Sequence, residues 1–288
     1  LALVLIDARK GVLTQTRRHS FILSLIGVKH VVLVVNKIDL VDYDQAVFDR
    51  IVADYRAFAE PLGFRSLAAI PVSALRGDNI LGQSPNTPWH AGPALVPYLE
   101  SIETDEDRTA GRLRFPVQWV NRPDLDFRGF SGTLASGAVA VGDEVLVAAS
   151  RQPAIVTRIV TMDGDLATAV AGQAVTLVLD REIDISRGDV LVRPGETPEY
   201  SNQFQARLVW MNEEPAFPGR SYLLKIGAQL VPATITDLKF RTNVNTLERA
   251  AATKLALNEV GTVTIATDKP VAFDAYSGNA QTGSFILI

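Results

Sequence analysis

The first hundred residues alternate continuous apolar runs with segments whose apolar residues recur every three or four positions. The apolar runs predict strands that are buried on both faces, at residues 1–6, 30–35 and 69–72. The periodic segments predict helices with one apolar side, at residues 16–26, 44–62 and 93–103. This alternation predicts a parallel sheet covered by helices, with a ligand site at the carboxyl ends of the strands.

The pattern changes after a polar, charged linker at residues 104–108. Beyond it the chain consists of short β-rich runs separated by glycine, proline and aspartate, a spacing that predicts an antiparallel barrel. A segment rich in proline and glycine at residues 193–198 marks a second break, and another all-β unit follows it. The predicted fold class is an α/β domain followed by two all-β barrel domains. The predicted domain boundaries are residues 1–108, 109–197 and 198–288.

The composition fits this fold class and removes several kinds of chemistry. A chain of 288 residues with 47% hydrophobic and 21% charged residues suits two or three globular domains. The absence of cysteine excludes disulfides and cysteine-bound metals, and the three histidines lack the spacing of metal ligands. The net charge of −4 argues against a nucleic-acid-binding protein. Because no apolar run is long enough to cross a bilayer, we expect a cytoplasmic protein without a membrane partner.

The candidate chemistry lies directly after the second predicted strand, in the sequence Asn36, Lys37, Ile38, Asp39. Guanine presents two neighbouring N–H donors, and an ionised Asp39 can accept both, whereas adenine offers no such pair. Lys37 could lay its aliphatic stem over the base while its ammonium stays in water, and the Asn36 amide could join neighbouring loops. The alternative is a turn in which the aspartate only caps the next helix.

A second candidate loop, formed by Ser73, Ala74 and Leu75, follows the third predicted strand. A small residue at that place lets a backbone N–H approach an oxygen of the base. Because the carboxyl ends of parallel strands meet at one edge of a sheet, we expect this loop to lie beside the first. The tripeptide is common, so its meaning comes only from its position relative to the first loop.

These loops belong to a longer series of motifs. The chain resembles GTPases of the translation-factor superfamily in several segments of its first domain, at residues 7–11, 36–39, 73–75, 77–79 and 89–93. Within that superfamily it resembles the large, regulatory GTPase subunit of heterodimeric sulfate adenylyltransferase through barrel motifs, at residues 115–129, 132–137, 184–189, 210–211, 218–219 and 222. The resemblance implies an elongation-factor-Tu-like architecture that begins with part of a P-loop GTPase domain. It also implies a guanine site made of Asn36, Lys37, Asp39, Ser73, Ala74 and Leu75.

One departure from the family pattern concerns the phosphates. A phosphate-binding loop needs glycines followed by lysine and serine or threonine, and this sequence contains no Gly-Lys dipeptide. We therefore expect the phosphate-binding loop, the catalytic residues and the Mg²⁺ ligands to precede Leu1, in a longer protein of which this chain is a fragment. The apolar strand at the very start fits that expectation. The fragment alone is predicted to be inactive.

The resemblance implies a function in sulfate assimilation, in which GTP hydrolysis drives the synthesis of adenosine 5′-phosphosulfate and pyrophosphate from ATP and sulfate. The implied cofactors are GTP and Mg²⁺. The implied partner is the small catalytic subunit, which performs the adenylyl transfer, and neither nucleic acid nor a membrane is expected as a partner. Two alternatives stay open: an elongation-factor-type GTPase that binds aminoacyl-tRNA, and a non-enzymatic adaptor built on the barrels.

Overall fold

A computed structural model describes residues 1–103, 108–123 and 127–288 of the chain. Most of the predicted linker, at residues 104–107, lies outside the described residues, and so does a short part of one barrel motif, at residues 124–126. Within the described ranges, no helix combines the length and the apolar character that a bilayer-spanning helix needs.

The chain divides into two compact units, each with its own apolar cores. The first comprises Leu1–Asp105 with Thr242–Ala250, and the second comprises Glu106–Arg241 with Ala251–Ile288. Inside the first unit, Leu247 adopts a left-handed backbone conformation with φ of 61° and packs against the main apolar core. The division into three domains that the sequence predicts stays a prediction.

The first unit is built on a parallel sheet of order β1-β2-β3. Its strands are β1 (Ala2–Asp7), β2 (His30–Asn36) and β3 (Ser66–Pro71). Its helices are α1 (Thr14–Leu25), α2 (Gln45–Ala59) and α3 (Leu95–Ser101). The predicted alternation of strands and helices is confirmed. Because Asp7 pairs with Asn36 and Val35 with Pro71, the carboxyl ends of the strands lie level at one edge.

Helix α2 shows why this part of the chain folds against the sheet. Apolar residues at steps of three and four are buried in the main core: Phe48, Ile51, Tyr55 and Phe58. At the start of α2, Oδ1 of Asp44 accepts a hydrogen bond from the N–H of Ala46 at 2.7 Å and caps the helix. The helix ends at Ala59, before the predicted end at residue 62. Glu60–Leu62 forms a 3₁₀ turn instead, because Pro61 has no N–H for an α-helical hydrogen bond.

The first part of the second unit is a closed antiparallel barrel. Its strands are β4 (Phe115–Asn121), β5 (Gly129–Thr133), β6 (Ala138–Ala140), β7 (Glu144–Val147), β8 (Pro153–Thr161), β9 (Gly164–Leu166), β10 (Thr168–Val170), β11 (Ala174–Leu179) and β12 (Val190–Val192). The order β11-β5-β4-β12-β7-β8 closes into a ring because β11 also pairs with β8. The predicted barrel is confirmed. The pattern did not predict β9 and β10, since these short strands, Gly-Asp-Leu and Thr-Ala-Val, contain too few apolar residues to stand out.

A further antiparallel sheet follows the barrel along the chain, and its main strands belong to the second unit. The remaining elements in chain order are β13 (Glu199–Val209), β14 (Ser221–Ile226), β15 (Gln229–Thr242), β16 (Arg249–Ala250), β17 (Val260–Phe273), α4 (Ala280–Gly283) and β18 (Phe285–Leu287). The order of its main strands is β13-β17-β15-β14-β18. An apolar core that includes Trp210, Leu224 and Val263 lies against this sheet. The second all-β part predicted from the sequence is confirmed.

A buried ion pair ties these two all-β parts together. Arg114 is only 1% exposed, and its guanidinium donates to both carboxylate oxygens of Asp274 at 2.7 and 2.8 Å. It also donates to the carbonyl oxygens of Leu113 and Glu196, at 2.9 and 2.6 Å. The hydroxyl of Thr282 donates to Asp274 at 2.6 Å. Burial acts to raise the pKa of Asp274, but the hydrogen bonds from Arg114 and Thr282 outweigh it and hold that pKa below its ordinary value.

Candidate functional site

The carboxyl edge of the parallel sheet brings three loops together. Asp7 ends β1 and Asn36 ends β2, and the two residues are paired across the strands. Backbone hydrogen bonds connect the segments that follow: the N–H of Ala8 donates to the carbonyl of Asn36 at 2.9 Å, and the N–H of Ile38 donates to the carbonyl of Val72 at 3.2 Å. The two loops predicted to contact guanine therefore lie beside each other and beside the loop that follows β1.

The side chain of Asn36 links the two predicted loops directly. Its Oδ1 accepts a hydrogen bond from the N–H of Lys37 at 2.7 Å and another from the N–H of Ala74 at 3.1 Å. One amide oxygen thus fixes the backbone on both sides of the site. The link between the loops agrees with the role that sequence analysis gave to this amide.

The backbone at Lys37 adopts a left-handed conformation, with φ of 63° and ψ of 35°. For a residue other than glycine this conformation costs about 1 kcal/mol, and the hydrogen bond from Lys37 N–H to Asn36 helps to offset it. The following residues, Ile38–Val41, form a single 3₁₀ turn. The Lys37 ammonium lies 3.1 Å from Oδ2 of Asp7, so the side chain reaches back across the sheet edge towards β1.

Asp7 is held mainly by Arg9. The guanidinium of Arg9 donates to Oδ1 at 3.0 Å and to Oδ2 at 2.7 Å, and the Arg9 backbone N–H donates to Oδ1 at 3.0 Å. These hydrogen bonds, with that from Lys37, outweigh the opposing effect of burial and hold the pKa of Asp7 far below its ordinary value. The ionised form of the carboxylate, which pairs with both cations, is therefore favoured.

Asp39 is buried but incompletely paired. Its side chain is 4% exposed, and its ionic partner is Arg76, whose Nε lies 3.5 Å from Oδ2. The Arg76 side chain is 65% exposed. Within the described part of the chain, no hydrogen bond reaches the Asp39 carboxylate. Since a carboxylate can accept about four hydrogen bonds, Asp39 keeps most of its acceptor capacity for a ligand.

The loop after β3 forms a tight turn. Ser73 is fully buried, its carbonyl accepts from the N–H of Gly77 at 2.8 Å, and its Oγ accepts from the N–H of Arg76 at 3.3 Å. The Ala74 N–H already donates to Asn36, so an oxygen of a base would have to share that donor. The Leu75 side chain is 91% exposed and offers apolar surface beside the loop.

A network of polar side chains supports the site from the loops behind it. The carboxylate of Asp78 accepts hydrogen bonds from Ser84 Oγ at 2.6 Å, Tyr43 Oη at 2.9 Å and Asn86 Nδ2 at 3.0 Å. The indole N–H of Trp89 donates to the carbonyl of Tyr43 at 3.0 Å. Since Tyr43 follows the turn that contains Asp39, this network fixes the far end of the first loop.

Sequence analysis did not assign a role to Asp7, Arg9 or Arg76. The first two could have been found by the rule that found the other loops, because Asp7 ends, and Arg9 follows, a strand at the same edge of the sheet. Arg76 has no such signal. Its pairing with Asp39 depends on the turn made after β3.

A cavity in the first unit does not coincide with the predicted guanine site. It has a volume of about 580 Å³ and lies along β1 and α1, where Asp7, Gly11, Thr16 and His19 contribute to its wall. None of the residues predicted to contact guanine lines it. Across the described ranges, no group of three or more histidine, aspartate or glutamate side chains could hold a metal ion.

The structure described so far is a parallel sheet with the largely buried side chain of Asp39 after β2 and a second loop fastened to the first by the Asn36 amide. Residues 1–162 match the elongation factor Tu GTP binding domain. Residues 203–288 match the GTP-eEF1A C-terminal domain-like family. The chain belongs to the elongation factor Tu type of GTP-binding proteins, as the sequence motifs predicted.

Individual relatives extend this result. The bifunctional enzyme NodQ of Rhizobium sp. (strain N33) is 55% identical over 288 residues, which are 100% of this chain and 45% of that protein. Sulfate adenylyltransferase subunit 1 of Shewanella woodyi (strain ATCC 51908 / MS32) is 51% identical over 100% of this chain and 61% of that protein. The chain thus spans about half to three fifths of the length of these relatives. The predicted similarity to the GTPase subunit of sulfate adenylyltransferase is confirmed.

A solved structure agrees with the fold. The crystal structure of Sup35 complexed with GMPPNP has a TM-score of 0.58 and 22% sequence identity, over 99% of this chain and 74% of that one. At this level of identity the likeness concerns the fold alone. It supports the architecture of a GTP-binding domain followed by two β-structured parts.

Proposed function

We propose that this chain is the guanine-recognising part of the GTPase subunit of a sulfate adenylyltransferase. In this role GTP hydrolysis drives the formation of adenosine 5′-phosphosulfate and pyrophosphate from ATP and sulfate. The observation that carries the proposal is the Asp39 carboxylate, whose side chain is 4% exposed and keeps free acceptor capacity, in a chain 51% identical to a sulfate adenylyltransferase subunit 1.

Guanine recognition follows from the free acceptors of Asp39. The N1–H and the exocyclic amino group of guanine would donate to the two carboxylate oxygens, as charge-assisted hydrogen bonds in a site that is almost closed to water. Adenine would leave the buried carboxylate unpaired, which costs about 1–3 kcal/mol or more for a charged group. The stem of Lys37 and the exposed side chain of Leu75 would be covered by the faces of the base.

The remaining parts of the reaction lie with other residues and with a partner. These 288 residues contain no Gly-Lys dipeptide, so we propose that the phosphates, and Mg²⁺ with them, are held by residues other than these. Mg²⁺ would supply charge neutralisation at the phosphates. The adenylyl transfer itself would take place on a small catalytic subunit, and the barrels would offer surface to that subunit.

The test uses the native protein, with any residues that flank these 288, together with its small subunit. Pyrophosphate release from ATP and sulfate is measured with GTP and with xanthosine triphosphate, for the wild type and for Asp39→Asn. We expect Asp39→Asn to weaken the effect of GTP roughly hundredfold and to favour xanthosine triphosphate, because the amide can donate to the oxygen that replaces the guanine amino group.

Asp42→Asn is the matched control. Asp42 is exposed, lies at the end of the same turn and has φ of 55°, a conformation that asparagine also tolerates. The Asp42→Asn variant should leave the preference for GTP over xanthosine triphosphate unchanged. Equal behaviour of the two variants would contradict guanine recognition by Asp39. If GTP does not change pyrophosphate release by the wild type, the proposed coupling of GTP hydrolysis to adenosine 5′-phosphosulfate synthesis is contradicted.

A further inference from the structure

In the proposed site the stem of Lys37 packs against the base, whereas its ammonium has no assigned role. A free lysine side chain samples many rotamers, and ordering it on binding a ligand has an entropic cost. Here the ammonium is already held, 3.1 Å from Oδ2 of Asp7, although the side chain is 48% exposed. Such an exposed chain would otherwise move freely in water, so the contact with Asp7 sets its direction.

The other end of Lys37 is held as well. Its N–H donates to Oδ1 of Asn36 at 2.7 Å, and its carbonyl accepts from the N–H of Leu40 at 3.0 Å. These hydrogen bonds fix the left-handed backbone of the residue. Because both ends are anchored, the methylene stem is stretched between the ends of β2 and β1 before any nucleotide binds.

The anchor for the ammonium is itself rigid. Asp7 is the last residue of β1, in register with Asn36, and its side chain is only 17% exposed. Arg9 holds both carboxylate oxygens and so fixes the orientation of the carboxylate plane. Ion pairs between exposed side chains usually contribute little, but this one joins a mobile cation to an anion that three other hydrogen bonds already hold.

We propose that Asp7 is a positioning residue for guanine nucleotides: by holding the Lys37 ammonium, it keeps the lysine stem in place as the surface against which the base packs. Asp7 itself makes no contact with the nucleotide in this scheme. Its contribution is to remove the ordering cost of the lysine side chain from the binding free energy. The inference rests on the proposed guanine site and names a further residue of that site.

A double-mutant cycle in the native protein tests this inference. GDP binding is measured by calorimetry for the wild type, Asp7→Asn, Lys37→Met and the double variant. Methionine keeps an unbranched apolar stem but has no ammonium for Asp7 to hold. We expect Asp7→Asn alone to weaken GDP binding about threefold to tenfold, the equivalent of ordering one long side chain. In the Lys37→Met background, the same change should have almost no effect.

Two further readouts separate positioning from a general loss of structure. Thermal unfolding of each variant checks that the first unit stays folded, and the preference for GDP over xanthosine diphosphate should not change, because Asp39 is intact. Asp54→Asn is the control, since Asp54 also pairs with an arginine, Arg17 at 3.2 Å, but lies on α2 away from the sheet edge. It should leave GDP binding unchanged.

The outcomes separate the inference from the proposed function. If Asp7→Asn weakens GDP binding equally with and without the lysine, Asp7 does not act through Lys37 and the inference is overturned, while the guanine site stands. If the wild type binds GDP no better than ADP, the proposed function is overturned, and this inference with it. Coupling between the two positions, with unchanged base preference, supports both.

Discussion

Asp39 and Asp274 are both buried carboxylates paired with an arginine, but the chain satisfies them to very different degrees. Asp274 receives hydrogen bonds from Arg114 through both oxygens and a third from Thr282. Asp39 is the more buried of the two, with a side chain 4% exposed against 16%, yet among the described residues its ion pair is the 3.5 Å contact with Arg76, and no hydrogen bond reaches it. Their arginine partners differ as well, since the Arg114 side chain is 1% exposed and the Arg76 side chain is 65% exposed.

The difference separates a structural role from a binding role. The Asp274 carboxylate uses most of its acceptor capacity on Arg114 and Thr282, so this ion pair is suited to holding the two all-β parts of its unit together. A buried carboxylate with unused acceptors is costly unless a ligand supplies the missing donors. Burial by itself therefore does not distinguish the two roles, whereas the count of satisfied acceptors does.

The largest effect that this comparison predicts is on stability. Arg114→Met should lower the free energy of unfolding by about 3–5 kcal/mol, because it leaves the Asp274 carboxylate buried without its cation. Urea unfolding followed by circular dichroism measures this change. The double variant Arg114→Met with Asp274→Leu should regain most of the loss, since it removes the unpaired charge as well.

The matched control for that prediction is Arg158→Met. Arg158 pairs with Asp165 through two hydrogen bonds, at 2.8 and 3.2 Å, but both side chains are about half exposed. It should leave the unfolding transition nearly unchanged. Equal destabilisation by Arg114→Met and Arg158→Met would mean that burial of the Arg114 pair has no special importance.

A smaller effect is expected from acid. The pKa of Asp274 is lower in the folded protein than its ordinary value of 3.8, so its contribution to stability is fully present above that value and is lost as the pH falls through the folded pKa. We expect the unfolding free energy of the wild type to fall more steeply below pH 4 than that of the Arg114→Met, Asp274→Leu double variant. Identical pH profiles of the two proteins would contradict this assignment.

The smallest effect concerns Arg76. Arg76→Ala should strengthen GDP binding, by up to about fivefold, because the exposed Arg76 guanidinium then no longer competes with the base for the Asp39 carboxylate. Calorimetry at two salt concentrations measures the change, which should shrink as salt rises. The exposed Arg65, at the opposite end of β3, supplies the control variant Arg65→Ala. Weaker GDP binding by Arg76→Ala would instead assign Arg76 a contact that supports the bound state.

Much of the first unit followed from local patterns in the sequence. The apolar steps on α2 placed Ile51, Tyr55 and Phe58 in the core, and the residues after β2 and β3 were found because buried parallel strands end at a common edge. Both inferences use only the period of a helix or the direction of a strand. The barrel was predicted from strand spacing for the same reason, except for the short strands β9 and β10.

The sequence by itself determined the order of elements, the fold class and the two loops proposed for guanine. Tertiary structure alone decided which charges meet: Arg114 with Asp274, which are 160 residues apart, Lys37 with Asp7, and Asp39 with Arg76. The physical reason is that apolar periodicity is a local property, readable along the chain. The pairing of a charged residue depends on strand register and on how loops turn, and these are set only when distant segments pack together.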